Sequence, residues 1–270
     1  MLSLVPTMGE DRVDMSEKYA RVKHHGTAFA AIVHDDMVEL FEEGEPLTRG
    51  TAVGSVPVAQ VQWLSPVQPR TILCVGRNYR AHAAELHNPV PLEPLFFLKP
   101  TSALVGHQDV ILRPTWVGRV DYEGELVLVL GKTVRHVTST QEALDAIFGL
   151  TIGNDVTARD LQRSDGQWTR AKGFDTFAPV GPWIVRDNQS QSRRITTRVN
   201  GVIRQDGSTD DLIFSCDRLI MEASRFMTLY PGDLIFTGTP AGIGPVESGD
   251  EVDISIQGIG TLSNCVKNGD

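Results

Sequence analysis

The chain has 270 residues, of which 41% are hydrophobic and 22% charged, and these fractions are typical of a globular protein with one large core. Its formal net charge of −9 argues against a general binder of nucleic acid or of anionic membranes. No run of about 18 apolar residues is present, so no transmembrane helix is predicted. The three cysteines form no CxxC pair, and the beginning of the chain lacks the features of a signal peptide. We therefore expect a cytoplasmic protein without a disulfide framework.

The first part of the chain is predicted to be a leader followed by a small β domain. Residues 1–17 carry no periodic pattern and are predicted to be a loose leader. Two short apolar runs, at residues 27–33 and 37–41, flank a polar turn, which is a hairpin signal. Glycines and prolines then punctuate the chain, so we predict a small N-terminal β domain over residues 18–66 and a catalytic domain over residues 67–268.

The catalytic domain opens with a strand and a short helix. Residues 71–75 are predicted to form a buried strand, and Asn78 is a candidate cap for a helix over residues 79–86. His82 and Glu85 are three residues apart, so they share one face of that helix. Prolines follow the helix, and we expect the helix to act as a mobile lid.

Short strands outnumber helices in the remainder. Further strands are predicted at residues 95–98, 122–130, 149–153, 183–185, 195–199, 234–237, 252–256 and 261–266. Further helices are predicted at residues 139–148, 157–163 and 215–229, the last with Leu219, Ala223 and Phe226 on one face. Asn200-Gly201 is predicted to form a hairpin turn. This order favours a strand-dominated α+β fold over a doubly wound sheet.

Two carboxylates stand at the start of the strand predicted over residues 122–130. Glu123 and Glu125 are two residues apart, so on a strand their side chains point to the same face. Carboxylates held side by side repel each other and are costly to desolvate, so they need a cation, a shared proton or open water. Asp155 follows the strand predicted over residues 149–153 and is the natural third member of a metal site.

The donor set indicates which ion such a site prefers. Three carboxylates without paired histidine or cysteine form an oxygen-only site, which suits Mg²⁺ or Mn²⁺, and also Ca²⁺, but not Zn²⁺. Three negative charges exceed the charge of the ion, so an anionic substrate needs a further cation, for which Lys172 and Arg159 are candidates. Each feature alone also has an ordinary structural explanation, such as a solvated strand face for Glu123 and Glu125.

Six motifs in a fixed order give the chain its resemblance to a known family. They are Val75-Gly76-Arg77-Asn78-Tyr79 with His82 and Glu85; Phe97-Leu98-Lys99-Pro100; Asp121-Tyr122-Glu123-Gly124-Glu125-Leu126; Asn154-Asp155-Val156-Thr157-Ala158-Arg159-Asp160 with Gln162; Ala171-Lys172-Gly173-Phe174-Asp175; and Thr237-Gly238-Thr239-Pro240 before Gly242-Ile243-Gly244. In these motifs the chain resembles the fumarylacetoacetate hydrolase family over roughly residues 69–266.

The resemblance implies a fold, a metal and a substrate class. The implied fold is a mixed β-sandwich roll with a small N-terminal β domain, in a homodimer. The implied cofactor is Mg²⁺ or Mn²⁺, held at the positions of Glu123, Glu125 and Asp155. The implied substrates are small 2-oxo acids and their enols, and the positions that line the pocket for them are Arg159, Gln162, Lys172 and Thr239.

The resemblance also implies chemical roles. His82, oriented by Glu85, matches the acid/base dyad of the family, and Lys172 supplies positive charge for a developing oxyanion. A distal carboxylate of the substrate has three candidate partners: Arg77, Lys99 and Arg170.

Within the family, the pattern is most similar to enzymes of bacterial aromatic catabolism. We therefore predict a metal-dependent enzyme that acts on 2-oxo or 2-enol dicarboxylic acids, of the 2-hydroxyhepta-2,4-diene-1,7-dioate isomerase / 5-oxopent-3-ene-1,2,5-tricarboxylate decarboxylase type. The alternatives are a C–C bond hydrolase of acylpyruvates such as fumarylpyruvate, an oxaloacetate decarboxylase, and a non-catalytic protein that binds small acids.

Overall fold

The structure is a computed structural model, and it describes residues 17–44, 47–85, 89–187 and 191–269. The strands are β1 (Lys18–His24), β2 (Thr27–His34), β3 (Met37–Phe41), β4 (Ala52–Pro57), β5 (Gln62–Leu64), β6 (Ile72–Gly76), β7 (Leu95–Lys99), β8 (Leu104–Val105), β9 (Val110–Pro114), β10 (Val120–Tyr122), β11 (Gly124–Leu130), β12 (Ile147–Asn154), β13 (Thr157–Ala158), β14 (Ala178–Val185), β15 (Arg194–Val199), β16 (Val202–Ser208), β17 (Leu234–Phe236), β18 (Gly244–Pro245), β19 (Glu251–Ile256) and β20 (Gly260–Gly269). The α-helices are α1 (Arg80–Glu85), α2 (Thr140–Asp145), α3 (Arg159–Asp165), α4 (Thr169–Lys172) and α5 (Cys216–Phe226). Single turns of 3₁₀ helix lie at Val58–Gln60, Thr101–Ala103 and Thr209–Asp211.

Three sheets organise these strands. A 12-stranded sheet has the order β4-β3-β2-β1-β14-β12-β11-β17-β6-β7, with β5 beside β1 and β8 beside β14. A five-stranded sheet has the order β16-β15-β19-β20-β9, and β13-β10-β18 form a small third sheet. Most pairs are antiparallel, while β8–β14, β6–β17 and β9–β20 are parallel. The predicted strand-dominated α+β fold with mixed sheets is confirmed.

Strand β11 is buried on both faces, which explains its unbroken apolar sequence. Leu126 and Leu128 pack into the core shared with the five-stranded sheet, where they join Ile254. Val127 and Val129 point the other way, into a second core cluster. Burial on both sides fixes the register of β11, and the carboxylates at its beginning are positioned with it.

The N-terminal strands continue the main sheet. Strand β1 pairs with β14 through Lys18 with Val185 and Tyr19 with Ile184. The division into domains at residues 18–66 and 67–268 stays a prediction. The predicted leader, residues 1–17, lies outside the described residues except for Glu17.

Several element predictions are confirmed and three need correction. The hairpins at residues 27–41 and around Asn200 form as predicted. The helix predicted to reach residue 148 ends at Asp145, because the carbonyl of Ala146 already accepts a hydrogen bond from the amide of Gly131 at the end of β11. The strand predicted over 122–130 is interrupted at Glu123.

The third correction concerns α5. It ends at Phe226 instead of residue 229, and the Phe226 side chain is 60% exposed although the pattern predicted it on the buried face. Leu219 and Ala223 are buried as predicted. Phe226 stands in the last turn, where its ring contacts that of Phe96 at a centroid distance of 5.6 Å. In the described ranges, no helix is long and apolar enough to cross a membrane.

Candidate active site

The three predicted carboxylates meet at one end of β11 and β12. These strands pair antiparallel with Gly124 opposite Asn154, so the residue after β12 lies beside the residue before β11. The Asp155 amide donates to the Glu123 carbonyl at 2.9 Å, and the Glu123 amide donates to Oδ1 of Asn154 at 2.9 Å. Glu123, Glu125 and Asp155 are buried and each offers an oxygen within 4.8 Å of the others. The structure therefore brings together the three carboxylates that the sequence predicted as one group.

Two of these carboxylates are held by buried cations. Lys172, at the end of α4, lies 3.0 Å from Oε2 of Glu123 and 2.5 Å from Oδ2 of Asp155. Arg159, at the start of α3, donates from Nη2 to Oε1 of Glu123 at 2.5 Å. Burial alone would raise the pKa of Glu123, but Lys172 and Arg159 outweigh it and hold that pKa well below its usual range.

Lys99 also belongs to this charge cluster. It was one of three sequence candidates for a distal carboxylate of the substrate. Its side chain is 0% exposed, and Nζ donates to Oδ1 of Asp155 at 2.6 Å and to the Val156 carbonyl at 3.1 Å. Lys99 does not line the cavity at the site. It therefore holds a carboxylate of the protein itself, and it is withdrawn as a candidate for the substrate.

Glu125 differs from its two neighbours. Its Oε2 accepts a hydrogen bond from the Gly238 amide at 2.7 Å, but among the described residues it has no ion pair. Burial, followed by the negative charges of Asp155 and Glu123, raises its pKa well above the ordinary value. A buried carboxylate without a cation, next to two other carboxylates, fits a divalent ion with oxygen ligands. The donor set thus fits a divalent ion that prefers oxygen ligands, such as Mg²⁺, Mn²⁺ or Ca²⁺.

A cavity of about 580 Å³ opens over the three carboxylates. Ten of the side chains that the sequence predicted for the site line it, whereas the candidates Lys99 and Arg170 do not. The ten are Arg77, His82, Glu85, Glu123, Glu125, Asp155, Arg159, Gln162, Lys172 and Thr239. The sequence reasoning did not select the other lining residues, which are Val75, Gly76, Arg119, Arg163, Gly166 and Trp168. One chamber thus holds the metal-type ligands, the dyad and several cations.

The predicted dyad lies on α1 and is tied to the loop that contains Gly242. Nδ1 of His82 is 3.4 Å from Oε2 of Glu85. Oε1 of Glu85 also accepts a hydrogen bond from the Gly242 amide at 3.1 Å. His82 is buried, so its ring faces the cavity interior with little contact with solvent. Glu85 can orient His82 while its own position is fixed by the loop.

Arg159 is held by a buried carboxylate that sequence reasoning missed. Its Nε donates to Oδ2 of Asp121 at 2.9 Å, and its Nη1 donates to Oε1 of Gln162 at 2.5 Å. Arg119 donates to the other oxygen of Asp121 at 2.6 Å. Asp121 belongs to the same motif as Glu123, and its place in that motif was the available signal.

Gln205 is a second residue that sequence reasoning missed. It lies on β16, is fully buried, and its Nε2 donates to Oγ1 of Thr239 at 2.7 Å and to the Pro240 carbonyl at 2.8 Å. Its Oε1 accepts from the amide of Gly124, the residue between the two glutamates, at 3.0 Å. Oγ1 of Thr239 in turn donates to the Gly124 carbonyl at 2.9 Å. No local pattern marks Gln205, because its partners lie on other elements.

The comparisons with known proteins agree with this geometry. The family model described as the fumarylacetoacetate (FAA) hydrolase C-terminal region matches residues 71–267. Among solved structures, a 2-hydroxyhepta-2,4-diene-1,7-dioate isomerase from Mycobacterium marinum is 41% identical with a TM-score of 0.85, and the match covers 93% of this chain and 98% of that one. A 5-carboxymethyl-2-hydroxymuconate delta-isomerase from Mycobacterium smegmatis is 41% identical with a TM-score of 0.85, and the match covers 93% and 100%.

A eukaryotic relative is similar over nearly the same length. A mitochondrial oxaloacetate tautomerase of Bos taurus is 39% identical over 258 residues, which cover 88% of this chain and 82% of the relative. The family model spans most of the chain, and five of the six motifs that it contains line one cavity. The sixth reaches the site through Lys99, which contacts Asp155. The chain therefore belongs to the fumarylacetoacetate hydrolase family of enzymes.

Proposed function

We propose that the chain is a divalent-metal-dependent isomerase of 2-oxo dicarboxylic acids, which interconverts their enol and keto forms. The observation that carries the proposal is the buried group of Glu123, Glu125 and Asp155 at the base of a cavity that also contains His82 and Glu85. Similarity to two proteins named as isomerases and one named as a tautomerase supports this reaction class.

The carboxylates define where a metal would be held. Glu123, Glu125 and Asp155 would bind Mg²⁺ or Mn²⁺, which when bound supplies a Lewis acid that polarises the oxygen at carbon 2 of the substrate. Lys172 and Arg159 add fixed positive charge beside that position, because both already lie against these carboxylates. Their charge stabilises negative charge that develops on the substrate.

The dyad provides the proton transfer. In ketonisation the enol hydroxyl loses its proton and an electron pair of that oxygen forms the C=O bond. The π electrons of the conjugated C=C bonds shift away from it, and a proton is added to a carbon of the conjugated system. His82 is the group suited to move that proton, because an imidazole can both accept and donate a proton, and this one lies in the cavity and contacts Glu85. Glu85 keeps the ring in one orientation through its second contact with Gly242.

Two substrates test the proposal at once. The heptadiene-dioate follows from the similarity to the Mycobacterium marinum isomerase, and the enol of oxaloacetate follows from the similarity to the Bos taurus tautomerase. Both compounds are enols of 2-oxo dicarboxylates, so one site can serve both. Action in aromatic catabolism, the homodimer and the cytoplasmic location stay predictions from the sequence.

The experiment measures loss of enol absorbance for both substrates with Mg²⁺ or Mn²⁺, before and after chelation. We expect acceleration over the metal ion alone, loss of the acceleration on chelation and its return when metal is added. Cleavage of acylpyruvates or loss of carbon dioxide from oxaloacetate, with no enol turnover, would favour the hydrolase or decarboxylase alternative. Binding of oxalate without turnover of any 2-oxo acid would favour the non-catalytic binder.

A further inference from the structure

The cations that line the cavity are not equally available to a ligand. Four of them form ion pairs with carboxylates of the protein: Arg119 with Asp121, Arg163 with Asp160, Arg159 with Asp121 and Glu123, and Lys172 with Glu123 and Asp155. Arg77 is the remaining lining cation, and within residues 17–44, 47–85, 89–187 and 191–269 no carboxylate pairs with it. An arginine without a carboxylate at the wall of a cavity is available for an anionic group of the substrate.

The backbone at Arg77 is held in a conformation that favours glycine. Its φ is +58°, in the left-handed region that an arginine rarely adopts. The next residue, Asn78, is fully buried and donates to the Thr237 carbonyl at 2.7 Å and to the Phe214 carbonyl at 3.1 Å. Its Oδ1 also accepts from the Phe214 amide at 2.8 Å. These bonds fix the chain after Arg77, so the strained conformation is imposed by the fold, as is common at functional sites.

An aromatic wall supports the Arg77 side chain. Its guanidinium carbon lies 6.0 Å from the centre of the Trp168 ring. The Trp168 ring lies directly on Gly76, where an added Cβ would come within 2.6 Å of it, and contacts the ring of Phe97 at 5.2 Å. A guanidinium beside an aromatic ring keeps its N–H edge free, and that edge matches the two oxygens of a carboxylate.

We propose that Arg77 binds the distal carboxylate of the substrate and makes the chain selective for dicarboxylic over monocarboxylic 2-oxo acids. The inference rests on the proposed function of the same cavity. The other two sequence candidates do not compete. Lys99 is buried against Asp155. Arg170 lies outside the cavity lining and pairs with Asp165 through two hydrogen bonds of 2.7 Å and 2.5 Å.

The test compares two six-carbon acids that differ only at the distal end. The probes are 2-oxoadipate, which has a distal carboxylate, and 2-oxohexanoate, which has a methyl group there. Their affinities for the Mn²⁺-loaded protein are measured by titration calorimetry. We expect the unmodified protein to prefer 2-oxoadipate by about 10- to 100-fold, the range of a charge-assisted hydrogen-bond pair. In Arg77→Gln we expect the preference to vanish, while affinity for 2-oxohexanoate changes by less than about threefold.

Two further variants separate selectivity from folding. Arg77→Gly removes the side chain and suits the left-handed backbone, so it should lose the same preference without a loss of thermal stability. Arg170→Gln, the matched control, should keep the preference. The inference is overturned if the unmodified protein binds both acids with equal affinity. It is also overturned if Arg77→Gln reduces the affinities for both acids by the same factor. Because the test measures binding and not catalysis, it applies even to a protein that catalyses no isomerisation. Failure of the inference on Arg77 is therefore distinguishable from failure of the proposed function.

Discussion

Glu123 and Glu125 are separated by one residue, yet their electrostatic surroundings are opposite. Lys172 and Arg159 contact Glu123 and lower its pKa, whereas burial and neighbouring carboxylates raise the pKa of Glu125. The difference arises because two cations form ion pairs with Glu123, whereas among the described residues Glu125 forms no ion pair and accepts a hydrogen bond from the backbone amide of Gly238. Of the three carboxylates, Glu125 therefore gains most from a bound cation.

The first prediction concerns Glu125→Gln. We expect Mn²⁺ affinity to fall by more than about 100-fold and activity to be lost, since loss of even an outer partner of a metal ligand costs about 10- to 100-fold. The metal-free variant should also behave differently with pH. A raised pKa in the folded state means that stability falls as pH rises through it, because the unfolded state ionises first. Glutamine does not ionise, so the stability of Glu125→Gln should not fall with pH for this reason.

Calorimetric titration with Mn²⁺, and urea unfolding of the metal-free proteins at about pH 5 and about pH 8, check both expectations. Mg²⁺-stimulated turnover of Glu125→Gln at the level of the unmodified protein would contradict the ligand assignment.

The second prediction concerns His82→Ala. We expect the turnover number to fall by about 10²- to 10⁴-fold, the usual contribution of a general acid or base. Affinities for Mn²⁺ and oxalate should be unchanged. The reason is that Lys99, Lys172 and Arg159 hold the carboxylates in place, and His82 takes no part in those ion pairs. Steady-state kinetics and calorimetry measure the two quantities. His34→Ala serves as the control, since the His34 side chain is 60% exposed on a distant hairpin. Near-normal turnover of His82→Ala would remove it from the mechanism.

At the scale of elements, the site depends on how β11, β12 and β16 meet. The pairing of β11 with β12 brings Asp155 to the glutamates. Gln205 on β16 then joins Gly124 on β11 to Thr239, although β16 belongs to a different sheet. The short backbone segment that bears both glutamates is thus held from two sheets.

The third prediction concerns Gln205→Leu. The variant leaves the Gly124 amide and the Pro240 carbonyl without the buried partner that Gln205 provides, at a cost of about 1–3 kcal/mol each. Because Gly124 lies between two ligands, we also expect weaker Mn²⁺ binding. Thermal unfolding and Mn²⁺ titration measure the two effects.

The matched control is Gln257→Leu. The Gln257 side chain is exposed in the turn between β19 and β20, which belong to the same five-stranded sheet as β16. If Gln205→Leu loses stability but binds Mn²⁺ as tightly as the unmodified protein, Gln205 has only a structural role and no influence on the ligands.

At the scale of the whole molecule, the continuous 12-stranded sheet connects the N-terminal strands with the strands that carry the site. Trp63 on β5 is 5% exposed and contacts Trp183 of β14 at a ring distance of 5.8 Å and His107 at 5.9 Å. These contacts span the predicted boundary between the two domains. A shared sheet and a shared aromatic cluster favour one cooperative unfolding unit.

The fourth prediction concerns Trp63→Ala. We expect the free energy of unfolding to fall by about 3–5 kcal/mol, as for other large-to-small changes in a core. In a denaturant titration, release of Mn²⁺ and loss of far-ultraviolet circular dichroism should occur in one transition, and its midpoint should move to a lower denaturant concentration. Trp63→Phe should shift both signals less. Two separate transitions, with Mn²⁺ release at an unchanged denaturant concentration, would show that the N-terminal part unfolds on its own.

The sequence by itself determined the strand-dominated fold, the hairpins and the residue types of the site. These features depend on local periodicity, turn residues and short motifs, which a single chain displays directly. The motif residues Arg77, His82, Glu85, Gln162 and Thr239 line one cavity in the structure.

The tertiary structure alone decided how the charges are paired. Lys99 is held by Asp155, Arg159 by Asp121, and Arg77 is left without a carboxylate among the described residues. It also decided that Gln205 supports the segment between the two glutamates. These pairings join residues far apart in the chain, and their strength depends on distance and burial, which no local pattern encodes.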